Sequence, residues 1–298
     1  MAHILIAGGS GLIGRRLTEL LIQSGHTVSW LSRKSGQQNG VISFAWNPAK
    51  CTYDPLAFRN ADAVISLAGS SVAAKAWTAS YKQEIIESRT TAAATLLHAL
   101  QHTSNNVKCL VAASAIGFYG DNSYNVLTEE SPAGHDFLSE TTRQWEAAYQ
   151  SPHIRTVLIR IGIVLSPNGG ALPTMAKPLR FGICPILGNG QQYMSWIHID
   201  DLCGIFLFAL EHEQLSGIYN GVAPVPEKHY RFMKTLRKLI APYAIPMNVP
   251  SFALRMLMGE RSAIILDSAR VSPSKIMLAG YSFRYTDLSP ALIHLYGK

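Results

Sequence analysis

The feature that most constrains this chain lies at its start, where His3-Ile4-Leu5-Ile6-Ala7 runs straight into Gly8-Gly9-Ser10-Gly11-Leu12-Ile13-Gly14. The apolar run is too short for a buried helix and reads as a strand, whereas Arg15 to Ser24 reads as a helix. Strand, glycine turn and helix N-terminus together form a phosphate cradle, because free backbone N–H groups and the positive end of the helix dipole converge there. Gly8 and Gly11 permit a sharp turn and close approach to a pyrophosphate, and Gly14 lets the helix pack tightly on the strand. Glycine spacing alone carries little weight; its place between a strand and a helix gives it meaning.

A second strand, Thr27 to Leu31, ends at Ser32-Arg33-Lys34-Ser35. That is about 20 residues past the glycines, where a dinucleotide fold reads the adenosine ribose. An acidic residue there would accept a hydrogen bond from a 2′-hydroxyl. Arg33 and Lys34 suit a 2′-phosphate instead. A charge-assisted contact of roughly 1.5–3 kcal/mol favours NADP over NAD by about ten-fold or more. The alternative is a solvated basic loop end.

Further strands are expected at Val41–Trp46, Ala63–Gly69, Cys109–Ala113 and Thr156–Leu165, with helices at Tyr81–Gln101 and Thr141–Gln150. Ala63–Gly69 is a continuous apolar run suited to a strand buried on both faces. Its end, Leu67-Ala68-Gly69, lets backbone pass close to a cofactor. The alternation predicts an α/β fold, a doubly wound parallel sheet of Rossmann type. We expect residues 1–165 to form the NADP-binding domain and 166–298 a smaller substrate lobe. Trp196–Asp201 and Gly217–Val222, within 196–224, are expected to return to the sheet.

A chain of 298 residues buries about 75% of its unfolded surface. With 48% hydrophobic and 15% charged residues, a filled core is expected, not disorder. No apolar run is long enough to span a bilayer, and no basic region precedes the first one, so a cytoplasmic protein without a membrane partner is expected. Cys51, Cys109, Cys184 and Cys203 form no C-x-x-C pair and read as reduced thiols, so no metal site is expected. The net charge is +7, but the 26 Lys and Arg are dispersed without a basic run. A polyanionic cofactor accounts for that charge as well as nucleic acid does, and no nucleic-acid partner is expected.

With these residues in hand, the chain resembles an extended short-chain dehydrogenase/reductase of the NAD-dependent epimerase/dehydratase superfamily. The likeness rests on G-G-x-G-x-x-G, on Leu67–Gly69, on Ser114…Tyr119-Gly120 and on Trp196-Ile197-His198-Ile199-Asp200-Asp201. More narrowly, it is similar to an atypical branch of unassigned substrate with a C-terminal domain of unknown function. The motifs shared with that branch are Ser32-Arg33-Lys34, Lys82 to Arg89, Trp145-Glu146, Arg160 to Leu165, Gly188–Tyr193 and Val249 to Leu292. The resemblance implies NADP contacts at Gly8, Gly11, Leu12, Ile13, Gly14, Ser32, Arg33, Leu67 and Ala68, with Glu84, Arg89 and Val164 added by the narrower branch. Glu84 and Arg89 otherwise read as an ion pair within one helix. The resemblance also implies a homodimer formed through helices that flank the sheet.

Such enzymes use Tyr-x-x-x-Lys, in which the ammonium lowers the phenol pKa for proton exchange with the substrate oxygen. Here Leu138 and Thr142 stand at the two positions, and no lysine occurs between Lys108 and Lys177. Tyr230 to Lys234 spells the motif outside its strand–helix context. Tyr119 is the best candidate for a substitute phenol and Ser114 for a supporting hydroxyl, with Tyr193 and His198 as further donors. His198 reads more simply as a core histidine. The function expected is an NADP-dependent oxidoreductase or epimerase acting on a small carbonyl or alcohol substrate; the alternative is a non-catalytic NADP(H) sensor.

Overall fold

The computed structural model describes residues 1–38, 40–150 and 154–297, so residue 298 of the expected C-terminal lobe lies outside the described residues. The chain opens with β1 (His3–Ala7), α1 (Leu12–Gln23), β2 (Thr27–Ser32), β3 (Gly36–Gln38) and β4 (Val41–Asn47). It continues through β5 (Thr52–Tyr53), α2 (Leu56–Arg59), β6 (Ala63–Ser66), α3 (Ala79–His102), β7 (Cys109–Ala115) and β8 (Asn122–Leu127). Next come α4 (Phe137–Ala147), β9 (Arg155–Ile161), β10 (Ile163–Leu165), α5 (Ala171–Arg180), β11 (Ile183–Leu187), β12 (Tyr193–Met194), β13 (Trp196–His198), α6 (Ile199–Glu211) and β14 (Gly217–Gly221). The remainder holds β15 (Glu227–Lys228), α7 (His229–Ile240), β16 (Ile245–Val249), α8 (Ser251–Met258), α9 (Ala263–Leu266), β17 (Ala269–Val271), α10 (Ser274–Leu278) and α11 (Leu288–Tyr296).

The central sheet runs in the order β14-β9-β7-β6-β1-β2-β4-β3, with β5 paired to β4. All its pairs are parallel except those of β3 and β5 with β4. This is the Rossmann-type α/β architecture. β1 lies between β2 and β6, which explains why Ile4, Leu5, Ile6 and Ala7 are all buried. Helix α1 buries Gly14, Leu17, Thr18 and Leu21 against it, and the Trp30 indole N–H donates to Thr18 Oγ1 at 3.0 Å.

Three expectations differ from the structure. Thr156–Leu165 is not one strand. At Gly162 the chain leaves β14 and takes β13 as its neighbour: Gly162 N–H donates to Gly221 O and Ile163 N–H to Ser195 O. A Cβ at Gly162 would stand 2.3 Å from Ser195 O, so only glycine allows this change of partner. For the same reason Trp196–His198 pairs with β10 in a separate two-stranded sheet and does not rejoin the main one. The helix that follows, α6, does pack back on the sheet, where its Leu202, Ile205 and Phe206 join the core. β14 extends the sheet beyond β9, as expected for Gly217–Val222. Helix α4 also starts earlier than its apolar spacing suggests, because the Asp136 carboxylate accepts from Ser139 N–H and caps it.

A second, smaller core joins Leu165, Leu172, Leu179, Trp196, Phe232, Leu236 and Leu292 from α5, α7, α11 and neighbouring strands. Cys109, Cys184 and Cys203 are buried free thiols, and Cys51 is an exposed one. Among the described residues no helix is long and apolar enough to cross a membrane.

Candidate cofactor and substrate site

The glycine turn is built to bring backbone together. Gly8 has φ +85°, and a Cβ there would stand 2.9 Å from the Leu67 carbonyl. A Cβ on Gly14 would stand 2.4 Å from Gly8 O. The first bond of α1 runs from Arg15 N–H to Gly11 O at 3.0 Å. The N–H groups of Leu12, Ile13 and Gly14 before it therefore have no carbonyl one turn back. Gly11 caps the helix without a side-chain bond, and no acidic residue occupies the first turn. An anion is the natural complement of such an end.

Around this cradle stand the other expected cofactor residues. Ser32 is half-buried at the end of β2, and Arg33 and Lys34 are exposed just beyond it. Leu67 and Ala68 follow β6 beside Gly8. The Arg89 side chain packs over Gly69. Val164 lies on β10, and the Leu12 side chain reaches Gly169 and Gly170 just beyond that strand.

The alternative reading of Glu84 and Arg89, an ion pair with each other, is not what the structure shows. Glu84 accepts from Ser70 Oγ at 3.1 Å and lies 3.7 Å from Lys75 Nζ. Arg89 donates to Ile85 O at 2.9 Å and stacks over Trp145. Among the described residues no carboxylate forms a salt bridge with Arg89, and burial lowers its pKa to about 10. A largely desolvated guanidinium without a counter-ion is costly. It calls for an anion at the end of β6.

The two catalytic candidates prove to be interior groups. Arg160 and Glu146 form a buried two-point ion pair, Nε to Oε1 at 2.7 Å and Nη2 to Oε2 at 2.8 Å. Ser114 Oγ donates to Glu146 Oε1. Tyr119 OH donates to Asn220 Oδ1 at 2.7 Å and accepts from Arg160 Nη1 at 3.0 Å. Ser114 and Tyr119 are each 3% exposed, and burial, opposed by the neighbouring Arg160, leaves the Tyr119 phenol above its usual pKa. The expectation that these hydroxyls serve substrate is corrected: both are spent inside the protein. Trp145-Glu146 and Arg160 mark the same network, which holds the turn after β7.

The open space lies elsewhere. A cavity of about 640 Å³ is walled by Ser71 and Ala73 after β6, by Ile163 on β10, by Thr174 and Met175 on α5, and by His229, Arg261 and Asp267 from the C-terminal part. A cavity of about 150 Å³ shares Ile163, Tyr193, Ile264 and Asp267 with it and reaches Gly117, Asp136 and Leu138. Both open beyond the carboxyl ends of parallel strands, where such sheets bind ligands. A Cβ on Gly117 would meet Leu138 at 3.4 Å and Thr142 Oγ1 at 3.8 Å. The residues that replace the Tyr and Lys thus face the turn after β7. Tyr193 lines both cavities.

His198 takes the structural role. Its Nδ1 accepts from Asp200 N–H at 3.0 Å and caps α6, and its Nε2 lies 3.1 Å from His294 Nδ1. His198, Asp200 and His294 come within 4.8 Å of one another, but Arg16 Nε donates to Asp200 at 2.6 Å and burial lowers the His198 pKa to about 4. Both ring nitrogens of His198, Nδ1 of His294 and Oδ1 of Asp200 are engaged with protein partners.

Asp267, His229 and Arg261 were not singled out by sequence. The only signal was an aspartate directly after the apolar run Ala263–Leu266.

Residues 4–220 match the profile of the NAD dependent epimerase/dehydratase family, and the chain belongs to that family. Residues 249–295 match a domain of unknown function, DUF1731. Epimerase family protein SSP1921 of Staphylococcus saprophyticus is 37% identical over 298 residues, covering 98% of each chain. Epimerase family protein SAR0825 of Staphylococcus aureus is 37% identical with all of both chains covered. Among solved structures, human epimerase family protein SDR39U1, determined with NADPH, superposes with a TM-score of 0.90 at 30% identity over 99% of each chain. UDP-glucuronic acid 4-epimerase from Bacillus cereus superposes at 0.80 with 19% identity, covering 99% of this chain and 98% of that one, a likeness of fold.

Proposed function

We propose that this protein is an NADP-dependent oxidoreductase or epimerase-type enzyme acting on a small carbonyl or alcohol substrate. The observation that carries the reading is that the glycine cradle and the 640 Å³ cavity lie beyond the same carboxyl edge of the sheet. The residues fit the cofactor. The N–H groups of Leu12, Ile13 and Gly14 would hold its pyrophosphate, Arg89 would add charge beside Gly69, and Arg33 and Lys34 would take the 2′-phosphate. NADPH, when bound, supplies a hydride equivalent for a carbonyl carbon. The protein's part is to orient the substrate, exclude water and exchange a proton with its oxygen. That SDR39U1 was solved with NADPH supports this choice of cofactor.

Arg33→Asp tests the assignment by cofactor fluorescence titration. NADPH binding should weaken by at least about ten-fold, while NADH binding changes little. An equal loss of both removes the 2′-phosphate assignment. A second reading, an NADP(H) sensor without turnover, is favoured by Leu138 and Thr142 at the dyad positions. Tight NADPH binding with no oxidation across a broad carbonyl panel would select it.

A further inference from the structure

We propose that Asp267 is the group that exchanges a proton with the substrate oxygen, and that the substrate is a carbonyl compound, or its alcohol, with an apolar body; this rests on the cofactor reading above. Asp267 follows α9 and is the one acid that lines both cavities. The smaller cavity is lined by both Asp267 and Leu138, the position where the family's phenol is missing. Its acidic neighbours are already employed. Asp136 caps α4, and Asp121 accepts from Ser268 N–H at 2.9 Å. Among the described residues the Asp267 carboxylate has no salt-bridge partner.

A second observation in the same cavity points to a ligand. His229 is 4% exposed and lines the larger space, and among the described residues its Nδ1 has no hydrogen-bond partner. The walls between these groups are Ile163, Met175, Leu187, Met194, Met258 and Ile264, and among the described residues Arg261 is the single permanent cation lining them. A second diphosphate, such as a nucleotide sugar carries, would find one guanidinium and a facing carboxylate there. Such a match is poor. An apolar body with one carbonyl oxygen suits the lining.

Three groups bear on Asp267 besides its burial, which is the largest influence. The carboxylates of Asp121 and Asp136 disfavour its charge and the Arg255 guanidinium favours it, leaving its pKa raised to about 6. It therefore holds a proton in mildly acidic solution and releases it near neutrality, the behaviour required of an acid–base group. With NADPH bound to supply hydride to the carbonyl carbon, the C=O π pair would move onto oxygen. The Asp267 O–H bond breaks, the new O–H bond completes the alcohol, and the carboxylate regains a proton from water. Oxidation reverses each movement.

The test uses acetophenone labelled with ¹³C at the carbonyl, bound to the NADP⁺-loaded protein, which cannot reduce it. The bound carbonyl resonance should lie downfield of the free ketone below pH about 6 and relax toward it as pH rises through the Asp267 titration. His229, lowered to about 4 by burial, stays neutral across most of that window. Asp267→Ala should abolish the downfield shift. Asp267→Asn, of the same size, should keep it at every pH, because an amide donor does not titrate. A carbonyl shift that survives Asp267→Ala, or that ignores pH in the parent, overturns the proposal. So does failure of acetophenone to bind at millimolar concentration while NADP⁺ binds. A chain that fails to bind NADP⁺ at all removes the cofactor reading first, and this assignment with it.

Discussion

Glu146 shows how a residue conspicuous in sequence can be spent on the interior, away from the two cavities. Its carboxylate takes both arms of Arg160 and the Ser114 hydroxyl, and Arg160 in turn fixes Tyr119 and stacks 3.4 Å from the centroid of the Phe118 ring. Removing one partner strands a charge that is 2% exposed. Glu146→Ala should therefore cost about 3–5 kcal/mol, read as a lower urea midpoint at unchanged slope. A loss below about 1 kcal/mol would mean that water reaches Arg160 freely.

At the level of elements, the break between β9 and β10 shapes the site. Were the strand continuous, Ile163 would stay in the main sheet and would not line both cavities. The break exists because Gly162 lets Ser195 O approach its α-carbon. Gly162→Ala must push β13 away from β10, at a cost of about 1–3 kcal/mol. We expect a lower melting temperature together with weaker NADPH binding, since Val164 lies on β10 and pairs with the displaced strand. Unchanged melting would show that β13 moves aside freely.

Across the whole molecule, Asp201 joins the two cores. It sits on α6, and its carboxylate accepts from Arg284 N–H at 2.7 Å and Tyr285 N–H at 2.9 Å, while its own carbonyl accepts from Tyr281 OH at 2.8 Å. Tyr285 stacks on His198, and His294 on α11 completes the contact. Asp201→Ala loses two charge-assisted bonds, each worth roughly 1.5–3 kcal/mol. The 284 and 285 amides should lose hydrogen-exchange protection by more than those of β1 or β6. Uniform loss across the chain would mean that the two cores unfold as one unit.

The opening strand and helix, the glycine turn between them and the basic end of β2 could be read directly from residues 3–34, because each depends on neighbours in the chain: apolar runs, glycine spacing, a charge at a fixed offset. The loss of the Tyr–Lys dyad was legible for the same reason. Which groups face the substrate was not. Tyr119 and Ser114 have suitable chemistry at suitable positions, but folding placed Arg160, Glu146 and Asn220 around them and consumed their hydroxyls. Asp267 is remote in sequence from the glycine turn and carries no motif. Only packing of the C-terminal segment over the sheet brings it into one cavity with Leu138. Sequence alone determined where the chain can turn and where a phosphate can sit. Tertiary structure decided which polar groups are left without partners, because that depends on what every other segment has already bonded.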